Sequence, residues 1–331
     1  MPPKDNQPAV PREAKQQFHY SFLKILSGSD LSRRRLPYMT AVSPHAGPAV
    51  WLTACSHGEE VGGIAVVQEV FKRLRKRPLL KGSLHAFPLM NPLGFEMGTR
   101  LIAMSEEDLN RSFPGSPTGT LAERIADRIF RAIAETGPSV VLDLHNDWIR
   151  SIPYTVLDPS PAGDGNPLYE RTAEVAGWTG FPIVVEPEAI RRTLSHSLMQ
   201  RGVAALTIEL SESYVVNEKI VDQGVGCVFN VLSQLGMVEP MGEPFFYPLP
   251  AELAGKRFRY SSQPVASTSG ILRFLARPGQ VVRAGQPVAK VHNAFGRLQE
   301  TLTAQGDALV LGFSDSSVAY PGAPVMAFGL L

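Results

Sequence analysis

The sequence predicts an α/β protein with a small all-β region at its C-terminal end. Short apolar runs alternate with segments of helical period over the first two-thirds of the chain, as in a layered fold built on a largely parallel sheet. One run, AVWLTAC at 49–55, is apolar almost throughout, as a central strand covered on both faces would be. Beyond about residue 260 no helical period remains, and strand-like runs are separated by Gly/Pro turns.

Taken in order, residues 1–17 are polar and Pro-rich and read as a flexible arm. HYSFLKIL (19–26) and RLPYMTAV (35–42) read as strands, followed by the apolar run at 49–55. After SHGEE a helix is expected, because Ile64, Val67, Phe71 and Leu74 recur at helical spacing. The basic run KRLRKR at 72–77 suits the negative end of that helix's dipole and reads as a solvated helix end. SLHAFPLM (83–90) is the next strand. The stretch 91–119 has no sustained period, and a loop of that length in a compact domain is usually functional. LAERIADRIFRAIAE (121–135) is an amphipathic helix with Leu121, Ile125, Ile129 and Ile133 on one face, stopped by Gly137-Pro138. SVVLDL (139–144), YTVL (154–157), PIVV (182–185) and AALTIEL (204–210) complete the strand candidates. EPMGEPFFYPLP near residue 240 reads as a linker. The organisation expected is an arm at 1–17, a catalytic α/β domain at 18–245 and a β domain at 246–331.

Composition narrows the function. The 331 residues carry 32 Lys+Arg against 31 Asp+Glu, a net charge of +1, so no electrostatic footprint for nucleic acid or an acidic membrane is expected. With 44% hydrophobic and 19% charged residues the chain is globular rather than disordered or coiled-coil. Two cysteines, Cys55 and Cys227, cannot make a disulfide framework and sit in apolar runs, as buried thiols in a reducing compartment do. The N-terminus shows no apolar signal region and no run of about 18 apolar residues occurs, so a cytoplasmic location is expected.

The candidate chemistry lies at strand ends. His57 and Glu60, three apart after the central strand, can turn to one point at its carboxyl edge, where open α/β sheets bind ligands. Two His and one Glu, with a fourth position for water, make a hydrolytic zinc site, and His145 at the end of SVVLDL supplies the third ligand. Asp143, two residues earlier, projects to the same face and can hold an imidazole. The plainer alternative is a helix N-terminus at HGEE, with Glu59 and Glu60 complementing the dipole. His19, His45, His85, His196 and His292 lack such context. In the long loop, Asn110 and Arg111 suggest a carboxylate clamp, and Arg100 can reach a carbonyl oxygen as charge develops on it. Alternatively, DLNR caps a turn and its Arg makes a surface ion pair. Glu209, an acid ending an apolar strand, is the candidate general base, with Glu212 and Glu186 as competitors.

SHGEE with the strand before it, DLNRSFPG, LDLHND and TIELSE, in that order, resemble the succinylglutamate desuccinylase/aspartoacylase family. The resemblance covers most of 18–331 and implies a zinc carboxypeptidase-like mixed sheet flanked by helices, with a small C-terminal β sandwich. It implies a zinc amidohydrolase that cleaves N-acyl groups from amino acids, with one zinc ion per chain on His57, Glu60 and His145. Glu209 would activate water, Arg100 would stabilise the oxyanion, and Asn110 with Arg111 would bind a substrate carboxylate. A further substrate arginine often lies shortly before the base in that family, and Arg192 and Arg201 are the candidates here. The β domain would narrow the entrance. Two segments depart from the aspartate-specific members: LIAMSEE lengthens the loop, and ELSES stands where they have a glycine-proline turn. The partner implied is a small N-acyl amino acid, with no nucleic acid or membrane, and a homo-oligomer remains open. A zinc carboxypeptidase acting on small peptides, and a non-catalytic metal-binding relative, are the competing readings. The PGQVVRAGQPVAKV pattern also resembles the biotinyl/lipoyl-type sandwich, but the tip HNAFGR has no Lys, so no attached group is expected.

Overall fold

The structure is a computed structural model in which residues 15–27, 31, 33–160, 165–240 and 242–331 are described. Most of the expected arm lies outside them, and the part that is described already enters the first strand. The chain runs β1 (Gln17–Ser27), β2 (Arg33–Val42), β3 (Ala49–Ala54), α1 (Gly62–Leu74), β4 (Ser83–Phe87) and α2 (Pro92–Met97). A 3-10 turn at Leu109–Arg111 leads to α3 (Leu121–Ala134), β5 (Val140–His145), β6 (Arg150–Ser151), β7 (Tyr154–Leu157), α4 (Pro167–Trp178), β8 (Ile183–Val185), α5 (Leu194–Met199), β9 (Ala205–Glu209) and α6 (Glu218–Gln234). The remaining strands are β10 (Arg257–Ser261), β11 (Gly270–Phe274), β12 (Val281–Val282), β13 (Pro287–His292), β14 (Leu298–Thr303), β15 (Ala308–Phe313), β16 (Val318–Ala319) and β17 (Met326–Leu330).

The central strands β4, β3, β5 and β9 are parallel neighbours in that order, with β2 antiparallel to β4 and β7 antiparallel to β9. As their apolar character requires, β3 and β5 are buried almost along their whole length. One apolar layer, with Val66, Val70, Val225 and Val228, joins the sheet to α1 and α6. The opposite layer, with Trp51, Phe87, Phe113 and Ile129, joins it to α3 and α5. The α3 start is set by a capping box: Thr120 Oγ1 accepts from Glu123 N, and Glu123 reaches back to Thr120 N. Such a cap contributes about 1 kcal/mol.

The strands expected at 19–26, 35–42, 49–55, 139–144 and 154–157 are all present within a few residues. Helices α4 and α6 have no counterpart in the sequence reading. The β-branched run VGCVFNVL obscures the α6 period, yet Asn217 caps this helix, its side chain accepting from Lys219 N and Ile220 N. Packing then overrides propensity. Gly224 lets α6 approach α1 so closely that a Cβ there would lie 2.7 Å from Val66 Cγ2.

The large sheet does not stop at the expected division at 245–246. β8 pairs in parallel with β10, which pairs with β17 and so carries the sheet into the C-terminal strands. Phe258, Leu309 and Ala327 share one buried cluster with Tyr154 and Val184. A second sheet, β14-β13-β11-β16, closes over β15 and β17 around Val288, Val310 and Phe328. The pairing satisfies the edge of β8, which would otherwise leave open backbone groups beside the site. Among the described residues no helix is long and apolar enough to cross a membrane.

Candidate active site

The site forms where β3, β5 and β9 end at their carboxyl edge. Cys55, at φ +56, turns the chain out of β3, and the segment 56–60 folds back before α1 begins at Gly62. Gly58 makes this possible. Its N–H donates to Thr99 O at 2.9 Å, and a Cβ there would fall 1.9 Å from the Gly94 carbonyl carbon. Glu60 therefore does not serve the helix end: no acidic residue lies in the first turn of α1, and Glu60 points inward with His57.

His57, Glu60 and His145 are all buried, and each offers a ligand atom within 4.8 Å of the others. His57 Nδ1 is 2.6 Å from Glu60 Oε1, and His145 Nδ1 is 2.8 Å from Glu60 Oε2. The far ring nitrogens are held separately. His145 Nε2 donates to Asp143 Oδ2 at 2.9 Å, and Asp143 Oδ1 accepts from Thr53 Oγ1 at 2.6 Å. His57 Nε2 lies 3.1 Å from Asp108 Oδ1. A carboxylate on Nε2 fixes the tautomer that leaves Nδ1 free as a ligand. Glu60 Oε2 is buried and, despite its short approach to His145, receives no well-directed hydrogen bond. That orphaned oxygen faces Nδ1 of His145 while the other carboxylate oxygen faces Nδ1 of His57, an arrangement that suits a divalent cation better than a proton. Burial raises Glu60, but His145 and His57 outweigh it and hold the carboxyl down at about 2.

Glu209 stands across the β5–β9 ladder from His145 and across the β9–β7 ladder from Tyr154. Its Oε2 is buried without a partner. Burial lifts it well above the usual carboxylate range, Asp147 and Glu60 add to this, and His145 and Arg100 pull the other way. A group so placed is a candidate proton acceptor. Of its competitors, Glu212 is bonded by Asn217 Nδ2 at 2.7 Å and stands outside the cavity, whereas Glu186 lines it.

The cavity over these groups measures about 250 Å³. Arg100, Asn110 and Arg111 line it, as expected. Arg100 reaches Asp108 Oδ2 through Nε at 3.1 Å and through its terminal nitrogen at 3.0 Å, and comes within 3.3 Å of His57 Nδ1. Arg111 donates to its neighbour's carbonyl, Asn110 O, at 2.8 Å and is exposed, with no ion pair to a described carboxylate. Asn110 is buried and largely committed: Oδ1 accepts from Leu194 N at 2.9 Å, and Nδ2 lies 3.3 Å from His145 Nε2. Arg192 and Arg201 do not line the cavity. Arg192 pairs with Glu123 at 2.6 Å, and Arg201 is exposed in the turn before β9, at the opposite end of that strand from Glu209. The sequence argument for an arginine shortly before the base thus finds no support from position.

Several residues escaped the sequence reading. Asp108 passed as a turn cap; it does cap, accepting from Asn110 N at 2.8 Å, but it also holds His57 and Arg100. Asp147, Tyr154, Asp158 and Tyr260 also line the cavity, and Tyr154 Oη donates to Asp147 Oδ2 at 2.7 Å. Only Asp147, beside LDLH, had a sequence signal. The ELSES turn after Glu209 places Ser211, Glu212 and Tyr214 at φ +71, +35 and +69. Such strain persists where the surroundings over-determine it. Asn146 Nδ2 donates to Ser211 O and Glu212 O, and Ser213 Oγ donates to Asp147 O at 2.6 Å.

An α/β sheet with a buried His-Glu-His group and an acid at the next strand end defines a hydrolase-like site capable of holding a metal ion. The comparisons with known proteins agree. Residues 46–235, more than half of the chain, match the family model described as the succinylglutamate desuccinylase/aspartoacylase catalytic domain, and the chain belongs to that family of deacylating hydrolases. It is 29% identical over 295 residues to the N-alpha-acetyl-L-2,4-diaminobutyric acid deacetylase of Halomonas elongata, covering 83% of this chain and 80% of that protein. It is 25% identical over 185 residues to the succinylglutamate desuccinylase of Shewanella putrefaciens, covering 52% and 53%. In fold it resembles the product-bound ectoine utilization protein EutE (DoeB) of Ruegeria pomeroyi, with a TM-score of 0.80, 20% identity and 98% of each chain covered. A metallo-carboxypeptidase from Burkholderia cenocepacia aligns over 66% of this chain and 65% of its own, with a TM-score of 0.51 and 19% identity.

Proposed function

We propose that the chain is a zinc-dependent deacylase that hydrolyses the amide of an N-acyl amino acid to a carboxylate and a free amine. The carrying observation is the convergence of His57 Nδ1 and His145 Nδ1 on Glu60, with the partnerless Glu209 beside His145. His57, Glu60 and His145 would hold the ion. When bound, zinc supplies a Lewis acid that polarises the acyl carbonyl and makes water easier to deprotonate.

The chain's own residues account for the rest. Glu209 accepts a proton from the attacking water and returns it to the amide nitrogen as the C–N bond breaks. Arg100, on the cavity wall beside His57, faces the oxygen on which negative charge grows. Arg111, free of ion pairs among the described residues, takes the substrate carboxylate through a two-pronged contact, and Asn110 fixes the loop that carries it. Tyr260, from the first C-terminal strand, lines the same cavity. At about 250 Å³ this enclosure suits a small acylated amino acid better than an extended peptide. Free, buried Cys55 and Cys227 suit a reducing cytoplasm.

Elemental analysis of the purified chain should find one zinc ion per chain. An amine-release assay across N-acetyl and N-succinyl amino acids should find turnover. A metal-free wild type, or no release from any of these amides, overturns the reading.

A further inference from the structure

The basic residues of this chain are not spread evenly, although its net charge is only +1. Several gather along β1, the free edge of the large sheet, which β2 and β4 separate from β3 and the strand-end site. Tyr20, Phe22 and Lys24 alternate along β1 and so share one face, and the two rings are 53% and 64% exposed. Lys24 stands directly opposite Arg35 of β2, whose Cζ lies 5.9 Å from the centre of the Phe22 ring. From the end of α1, Arg75 Cζ lies 4.9 Å and 5.6 Å from the ring centres of Phe18 and Tyr20, and its guanidinium donates to Tyr20 Oη at 2.8 Å. Arg128 of α3 adds a further guanidinium, donating to Lys24 O at 3.3 Å. Lys72 and Arg73 are neutralised by Glu69 and Asp222, but among the described residues no carboxylate pairs with Lys24, Arg35 or Arg75. Like charges directly across a ladder are destabilising, and no anion of the described chain relieves this pair. Cation–π contact meanwhile holds phosphate-binding donors beside exposed rings.

We propose that this face of β1 binds single-stranded RNA, with bases stacked against Tyr20 and Phe22 and phosphates taken by Lys24, Arg35 and Arg75. The inference does not depend on the deacylase reading. The balanced total charge conceals the face because acidic residues gather elsewhere, as in the cavity. Alternate residues of a strand lie about 6.6 Å apart, so the two rings can serve successive bases of an extended chain. A duplex keeps its bases stacked within itself and offers the rings little, whereas an unpaired strand presents both bases and phosphates. The same features disfavour a second copy of this chain. Lys24 and the register shift between Lys24 and Leu26 blunt the edge against strand addition, and two such basic faces repel. A base can stack on a ring that keeps its guanidinium contact, whereas insertion of the rings into a bilayer would give that contact up.

The test titrates the full chain into a fluorescently labelled ten-nucleotide uridine oligomer and reads anisotropy, starting near about 50 mM salt and raising it. Binding should saturate, and an RNA duplex of the same length should bind about 5-fold or more weakly. Tyr20→Ala and Phe22→Ala should each weaken Kd about 5- to 100-fold with the salt slope unchanged, as for loss of one stacked base. Lys24→Gln and Arg35→Gln should instead each reduce the slope of log Kd against log salt by about 0.7, the signature of one phosphate contact on a single strand. All four residues lie outside the cavity, and circular dichroism should show the wild-type fold in each variant. No binding of the oligomer, binding that ignores both ring substitutions, or equal affinity for the duplex overturns the proposal. Binding of phosphatidylserine vesicles but not of the oligomer, lost in Phe22→Ala, would assign the face to a membrane and overturn it as well. So would a dimer that Phe22→Ala splits and that leaves the oligomer unbound.

Discussion

Asp108 Oδ1 lies 3.1 Å from His57 Nε2, although 51 residues separate the two in the chain. The same carboxylate takes Arg100 through its other oxygen, so one loop residue sets both the His57 imidazole and the arginine beside it. Burial opposes ionisation of Asp108, but His57, Arg100 and Arg111 hold it below the usual carboxylate range.

Asp108→Asn should keep the turn, since the amide oxygen can still accept from Asn110 N. It removes the charge that orients His57. Zinc affinity, measured by competition with a chelator, should fall about 10- to 100-fold, the usual effect of losing such a partner. Unchanged affinity would show that His57 is positioned without it.

Glu209→Gln replaces an acid with its isostere beside His145. Zinc content and Tm should stay near the wild-type values, and kcat should drop by about 100-fold or more, as for removal of a positioned base. Wild-type turnover would move the role to another carboxylate, and Glu186, which lines the cavity, would be next.

Glu186 gives a pH signature in the ligand-free protein. Its folded value of about 7 stands above the roughly 4.3 of an unfolded glutamate. Between those values the folded chain keeps a proton that the unfolded chain has lost. This group's contribution to stability therefore falls as pH rises through that window and is level above it. Glu186→Gln removes the fall, so its Tm advantage over wild type should grow from pH 5 to pH 8. An advantage independent of pH would show that Glu186 is already ionised at pH 5.

Gly58→Ala places a methyl group against the backbone of Gly94, which cannot swing aside as a side chain would. Overpacking of this kind costs about 1–3 kcal/mol. The variant should show a lower Tm and reduced zinc content, since the same segment carries His57 and Glu60. A wild-type Tm would mean that α2 shifts without cost.

Local information was enough for part of this molecule. His57 and Glu60 are three residues apart, and His145 and Asp143 two apart on one strand, so the pattern along the chain already placed each pair on one face. The apolar run of β3 announced a central strand, and the period of Leu121, Ile125, Ile129 and Ile133 announced α3. The rest depends on segments that meet only in the folded chain. Asp108 reads as a cap until the loop brings it to His57, and Arg201 reads as a substrate arginine until β9 carries it to the far edge. Helix α6 was hidden because its β-branched residues favour strands until α1 packs against them. Asp147, Asp158 and Glu186 are ordinary acids in the sequence. Whether a carboxylate is solvated or crowded depends on the dielectric and the charges around it, and only the enclosure by β5, β7, β8 and β10 determines that.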